Sequence, residues 1–145
     1  MLKNEIKRLA ASSFGWRVFC MAARKQGAVV LMYHRIGKGE KIFSNLDQSV
    51  FRAQMRWLRD NCHVIAPEDL MRSVYHSRGS KPPVLVTFDD GYRDYHDNAY
   101  PVLKDLEIPA LVFLATAFID NGGLIWTDLV HWAVHSTNRS SIALP

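Results

Sequence analysis

Three short, largely apolar runs constrain the fold of this chain more than any other feature of its sequence. They cover residues 28–33 (AVVLMY), 84–88 (VLVTF) and 108–114 (IPALVFL). Runs of this length and composition are typical of strands that are buried on both faces, as they are in parallel sheets. Because segments with helical signals lie between them, the sequence predicts an α/β fold with parallel strands.

The segments between these runs carry the helical signals. Phe51, Met55 and Leu58 recur at i, i+4 and i+7, which predicts a helix with one apolar face from Asp47 onward. Proline suits the first turn of a helix, and prolines indicate where two further helices begin. The remaining predicted elements are a short strand at 63–66 and three helices. One helix begins near Pro67, one begins near Pro101, and the last covers residues 126–135.

Two adjacent carboxylates, Asp89 and Asp90, follow the second apolar run directly. The carboxyl ends of parallel strands are where α/β folds hold their chemistry. Neighbouring side chains of a strand point to opposite faces, so both carboxylates can serve one site only if the backbone turns, and Gly91 permits that turn. One Asp could then bind a divalent cation while the other accepts a proton from water on that cation. The alternative is a structural turn in which an Asp side chain bonds backbone N–H groups.

His34 follows the first run and is expected at the same edge of the sheet. A binding or orienting role at the edge of the site is one interpretation, and a hydrogen-bonded structural histidine is the other. His96 is expected on the surface. Trp57, Trp126 and Trp132 could stack on sugars, although packing in the core is the commoner use of tryptophan.

The stretch TFDDGYRDYHDNAYPVLKDLEIPALVFLAT (87–116) resembles the first motif and the following helix and strand of the polysaccharide deacetylases. This family, carbohydrate esterase family 4, includes the nodulation-type chitooligosaccharide deacetylases. LMYHRIG (31–37) and FIDNGGLIWTDLV (118–130) resemble segments of its subgroup linked to exopolysaccharide synthesis. The resemblance covers most of residues 28–130.

The resemblance implies an incomplete distorted (β/α) barrel and hydrolysis of an N-acetyl group from a GlcNAc-containing glycan. Carried over by residue, Asp89 would be the catalytic base and Asp90 a ligand of a divalent metal, usually zinc in this family. Thr87, Phe88 and Gly91 would support the motif.

The family completes its metal site with two histidines in an H-(S/T)-x-x-H-P motif, which does not occur in this sequence. The one His-x-x-x-His is HWAVH, from His131 to His135, and it lacks both the Ser/Thr and the Pro. Histidines at i and i+4 of a helix could bind a metal, but we favour a solvated helix face. On that helix Trp126, Leu129, Val130 and Ala133 would form the apolar face and Asp128, His131, Trp132 and His135 the other.

A complete barrel of this type needs about 250 residues. Residues 28–145 are therefore interpreted as the N-terminal part of a deacetylase domain, truncated before the second motif. We expect little or no activity of this chain alone, with a weakly held metal. Metal-dependent release of acetate would contradict this expectation and would make His131 and His135 candidate ligands.

Residues 1–27 hold six Lys and Arg residues and one acid, Glu5, so this arm has a charge of +5. The rest of the chain has a charge of −1, which gives the net charge of +4. The basic balance belongs to the arm, and nucleic-acid binding is not expected of the domain. The arm is predicted to be a basic amphipathic helix, solvated or in peripheral contact with a membrane, with an export signal as the alternative. The matching location is the cytoplasm or the periphery of the inner membrane, export remaining open.

Three functions compete on the sequence. The first is a metal-dependent N-deacetylase, and the second is a non-catalytic remnant that binds glycan or nothing. The third is a glycoside hydrolase, whose paired carboxylates stand at least about 5 Å apart across the scissile bond. Adjacent residues on one turn do not readily provide that separation, so the third ranks last.

Overall fold

The computed structural model describes residues 27–37, 45–72 and 81–141, so the predicted arm lies outside the described residues except for Gly27. The described strands are β1 (Val29–Tyr33), β2 (His63–Val64), β3 (Pro83–Phe88) and β4 (Ala110–Val112). The α-helices are α1 (Gln48–Asn61), α2 (Tyr100–Asp105), α3 (Thr116–Asn121) and α4 (Trp126–Ser136). A 3-10 helix covers Pro67–Asp69 and a π-helix covers Tyr95–Ala99.

The strand β3 lies at the centre of a four-stranded sheet and pairs in parallel with each of the other three. β1 follows it from Val29 opposite Val84 to Tyr33 opposite Phe88. On the other edge of β3, β2 pairs with its first two residues and β4 with its last three. The predicted α/β fold with parallel strands, part of a barrel, is confirmed.

The predicted burial of the strands on both faces is right for β3 and wrong for β1. All six residues of β3 are buried. In β1 the burial alternates, and Val30 and Met32 are 52% and 62% exposed. Successive side chains of a strand point to opposite faces, so β1 packs only one of its faces against the core.

The helix α1 covers one face of this sheet, as its apolar spacing predicts. The carboxylate of Asp47 accepts a hydrogen bond from the backbone N–H of Ser49 at 2.8 Å and caps the helix. Phe51, Met55 and Leu58 are its buried residues. They therefore face the sheet.

An aromatic trio joins α1 to the two longest strands. The ring of Phe51 meets those of Tyr33 and Phe88 edge to face, with centroids 5.3 and 5.8 Å apart, and Tyr33 stacks on Phe88 at 5.5 Å. Tyr33 and Phe88 are the last residues of β1 and β3. The trio therefore packs directly beneath the carboxyl ends of these strands.

The helical region after β3 differs from the prediction in where it begins. The sequence predicts a start near Pro101, whereas helical turns begin at residue 93 and pass through the π-helix before α2. The predicted strand at 108–114 is shorter, since β4 has three residues. Near Pro67 the chain forms the 3-10 helix and helical residues 70–72.

The helices of the described ranges do not include one that is both long and apolar enough to cross a membrane.

Replacing Phe51 by Ala is expected to destabilise the fold by about 3–5 kcal/mol, because the ring is fully buried against two strands. The measurement is the free energy of unfolding from urea titration followed by circular dichroism. Val50→Ala, at a residue of the same helix that is 46% exposed, is the control and should change it by less than about 0.5 kcal/mol. Equal losses in the two variants would show that α1 does not pack as described.

Candidate active site

A cavity of about 720 Å³ opens beside the carboxyl ends of β1 and β3. Its walls come from the residues that follow β1, from the turn after β3 and from the start of α4. The polar and aromatic side chains that matter below are His34, Arg35, Asp90, Tyr92, Trp126 and His131. This is the edge at which the sequence predicts a site.

The turn after β3 is left-handed at two consecutive residues. Asp90 has φ of 73° and Gly91 has φ of 74°. Aspartate is one of the few residues other than glycine that adopts this conformation readily. A Cβ at Gly91 would also lie 2.6 Å from Leu114 Cδ2, so both the backbone angle and the close approach favour glycine. Gly91 was expected to make the turn, but the left-handed backbone of Asp90 was not foreseen.

The two neighbouring carboxylates have different surroundings. Asp90 lines the cavity, whereas Asp89 is not among the lining residues and is half-buried beside it. The backbone N–H of Asp89 donates to the carbonyl of Tyr33 at 2.9 Å, which extends the ladder between β3 and β1 by one bond. The change of direction therefore comes after Asp89, and of the two carboxylates Asp90 is the one that lines the cavity.

His34 and Asp90 face each other at this edge. Nε2 of His34 lies 4.0 Å from Oδ2 of Asp90, and the two side chains are 46% and 29% exposed. An imidazole and a carboxylate are thus open to solvent and close enough for one small group to contact both.

Arg35, the next residue, contacts two carboxylates and an aromatic ring. Its Nε lies 3.2 Å from Oδ2 of Asp94 and its Nη1 lies 3.6 Å from Oδ2 of Asp128. Its guanidinium also stacks over the ring of Tyr92, 4.6 Å from the centroid. A largely buried cation needs such compensation, because burial of an unpaired charge is costly.

Tyr92 and Asp128 are joined by a hydrogen bond of their own. The phenol of Tyr92 donates to Oδ2 of Asp128 at 2.8 Å. Burial raises the pKa of the Tyr92 phenol, and the hydrogen bond and charge of Asp128 raise it further. The phenol therefore stays protonated and keeps donating over the physiological range.

The loop that carries His34 is fixed by residues that follow the site turn. The backbone N–H of Ile36 donates to Oδ1 of Asp94 at 3.4 Å, and the side-chain amide of Asn98 donates to the carbonyl of Ile36 at 2.8 Å. Ile36 itself is fully buried. Asn98 lies in the π-helix, a conformation that is frequent at functional sites. The segment 94–98 thus clamps the loop after β1.

The helix α4 packs in a way that its sequence does not indicate. Its buried residue is Asp128, while Trp126, Leu129 and Val130 of the predicted apolar face are 71%, 50% and 51% exposed. The expectation of an apolar packing face is therefore wrong. The ion pair with Arg35 and the bond from Tyr92 account for the burial of Asp128.

His131 and His135 are exposed, as the solvated-face interpretation predicts. Nδ1 of His135 lies 2.9 Å from the carbonyl oxygen of His131, and the two rings are 6.3 Å apart. His96 is exposed as predicted, and the three tryptophans are exposed rather than packed in the core.

The described residues fit a metal only in part. Asp90 and His34 are donors of the kind that hold zinc. Within ranges 27–37, 45–72 and 81–141 the structure does not bring together three or more His, Cys, Asp or Glu side chains that could hold a metal ion. The arrangement offers two ligands, and no reaction step is assigned to a metal from this geometry.

Tyr92, Asp94 and Asp128 are the functional candidates that the sequence reasoning missed. The first two lie within the motif stretch, and Asp128 lies two residues after Trp126. An arginine just after a predicted strand is a signal that acids elsewhere could neutralise it. It does not indicate which ones.

Comparison with known proteins finds similarity to polysaccharide deacetylases. The family model for polysaccharide deacetylase matches residues 76–139. The Bacillus subtilis (strain 168) protein YxkH, whose name assigns it to the polysaccharide deacetylases, is 38% identical over 89 residues, 59% of this chain and 30% of that protein. The poly-beta-1,6-N-acetyl-D-glucosamine N-deacetylase of Staphylococcus aureus (strain MSSA476) is 30% identical over 124 residues, 74% of this chain and 42% of that protein.

Among solved structures, the Streptococcus pyogenes deacetylase PplD in complex with acetate matches with a TM-score of 0.57 and 26% identity. The match covers 70% of this chain and 50% of that one. The chain thus spans half or less of the length of the proteins it matches here.

Asp128→Asn is expected to lower the pKa of Tyr92, because it removes the charge that opposes ionisation of the phenol. The measurement is an NMR pH titration of tyrosines labelled at Cζ. Tyr33 is the internal control, since burial alone raises its pKa, which should not move.

The same raised pKa predicts a pH dependence of stability. A phenol whose pKa is higher in the folded than in the unfolded chain stabilises the fold fully below pH ~10, and this contribution is lost as the pH rises above that value. The loss should be smaller in Asp128→Asn. An unchanged Tyr92 titration in that variant would contradict the hydrogen bond.

Proposed function

This chain belongs to the polysaccharide deacetylase family, and from that premise we propose that it is part of a hydrolase that removes N-acetyl groups from a GlcNAc-containing glycan. The observation that carries the proposal is the pairing of Asp90 with His34 in a cavity at the strand ends. The Staphylococcus aureus relative is named for poly-beta-1,6-N-acetyl-D-glucosamine, and a similar structure was solved with acetate. Acetate is the small product that such a hydrolysis releases.

The reaction needs a proton acceptor and a proton donor. Water attacks the carbonyl carbon of the acetamido group, the C–N bond breaks, and acetate and a free amine result. The attacking water loses one proton and the leaving nitrogen gains one. We assign the first proton to Asp89 as general base, on the strength of the family motif, and a binding or orienting role to His34. None of the described residues is assigned the second proton.

Polysaccharide deacetylases generally use a divalent metal, which when bound polarises the amide carbonyl and activates water. Asp90 would be one of its ligands here, and zinc is the cation we propose. The partly exposed carboxylate of Asp90 and the imidazole of His34 would hold it. Two ligands bind a cation weakly, since protein zinc sites ordinarily use three or four.

A second candidate function is glycan binding without catalysis. It is favoured by a different observation, that the described residues do not bring together three or more side chains that could hold a metal ion. Membrane contact through residues 1–27, and a location in the cytoplasm or at the inner membrane, stay predictions.

Zinc binding is expected to be weak and centred on Asp90. Isothermal titration should show a site that Asp90→Asn removes and His34→Ala weakens. The matched control is Asp97→Asn, because Asp97 also lies beside a histidine, His96 at 3.0 Å, on the open surface. If Asp97→Asn weakened zinc binding as much as Asp90→Asn, the metal would not be in the cavity.

Release of acetate from chitooligosaccharides by this chain is expected to be slow, and to depend on added metal and on Asp89. An enzyme-coupled acetate assay of the wild type, Asp89→Asn and a chelated sample tests this. Release that Asp89→Asn leaves intact would refute the assigned base. Rapid metal-dependent release would show that the site has further ligands, and variants of His131 and His135 would then identify them.

A further inference from the structure

Trp126 is the most exposed of the large hydrophobic side chains in the described part of the chain, at 71%. It is also a wall of the cavity that holds His34 and Asp90. A packed tryptophan buries roughly 150–250 Å² and stabilises a fold accordingly. Leaving it in water beside a cavity that holds His34 and Asp90 forfeits that stabilisation, and aromatic walls with a few polar groups are typical of ligand sites.

The position of Trp126 is fixed by its own helix. It is the first residue of α4, and Asp128 two residues later is buried and bonded to Arg35 and Tyr92. These bonds hold the first turn of α4 against the site turn. A wall that is already in place costs little ordering when a ligand binds.

The chemistry of this wall suits a sugar ring. A pyranose has an apolar face of C–H groups and a rim of hydroxyls, and an indole offers a flat apolar face with one N–H donor. Asn45 and Thr127 line the same cavity and supply polar groups that could meet hydroxyls. Trp126 therefore combines with polar neighbours as binding sites for polar ligands commonly do.

We propose that Trp126 is a stacking platform for one sugar ring of the glycan, next to the ring whose acetamido group lies at His34 and Asp90. The inference rests on the proposed function only for the statement that the neighbouring ring carries the acetamido group. The stacking itself rests on the exposure and placement of the indole.

The other exposed tryptophans of the described residues do not share this placement. Trp132 lies on the same helix and is 50% exposed, but it is not a wall of the cavity. Trp57 lines a separate, mostly apolar groove between β1 and α1. Trp132 is therefore the matched control for an exposed tryptophan of α4 outside the site.

The experiment measures the affinity of the whole chain for N-acetylchitotetraose by isothermal titration up to 10 mM ligand. Trp126→Ala is expected to weaken binding about tenfold, because the variant loses the aromatic contact with the sugar. A tenfold loss of affinity corresponds to about 1.4 kcal/mol. Trp126→Phe should keep part of the affinity, and Trp132→Ala should stay within about twofold of the wild type. Circular dichroism and unfolding of each variant verify that the fold is kept, and Trp126 is expected to be neutral there because it is exposed.

The inference is overturned if Trp126→Ala binds like the wild type, if Trp132→Ala loses as much, or if the wild type does not bind. A failure of the proposed function would give a different result. In that case the acetate assay shows no release that depends on Asp89, while the affinity difference between the two tryptophan variants persists.

Discussion

Every strand contact in the described sheet passes through β3, and the site depends on that arrangement. Its six buried residues pair with β1 on one edge and with β2 and β4 on the other. The turn with Asp90 is the direct continuation of β3. A slip of one residue in its pairing would send each side chain to the opposite face, so the register that buries β3 also determines which carboxylate reaches the cavity.

Local patterns were sufficient to predict the elements whose burial is set by their own spacing. The helix α1 follows from Phe51, Met55 and Leu58, and β3 follows from its apolar run. The half-exposed β1 could not be distinguished from β3 in this way, because the exposure of a strand depends on what covers its second face. The π-helix was missed because the proline signal placed the start of the helix near Pro101, after residues 95–99.

Strand-end reasoning was enough to place Asp90 and His34 at one edge of the sheet, while the network around Arg35 was beyond it. Arg35 and Asp128 lie far apart in sequence, and no local pattern connects them. The apolar spacing of α4 predicted that Asp128 would be on the solvent-facing side of the helix. Asp128 is buried instead, because its ion pair with Arg35 outweighs apolar packing at that position. Buried pairs of this kind are weak evidence for stability. Their value here is geometric, since they hold three separate segments around one cavity.

The clamp on the loop after β1 has a consequence for the order in which the site is made. Asp94 follows Arg35 by 59 residues. At synthesis rates of about 5–20 residues per second, Arg35 is made roughly 3–12 s before its partner. Helix α1 can form during that interval from local contacts, whereas the histidine loop must wait for a distant one. His34 is thus among the first site residues to be translated, and its loop is fixed only after Asp94 and Asn98 have been made.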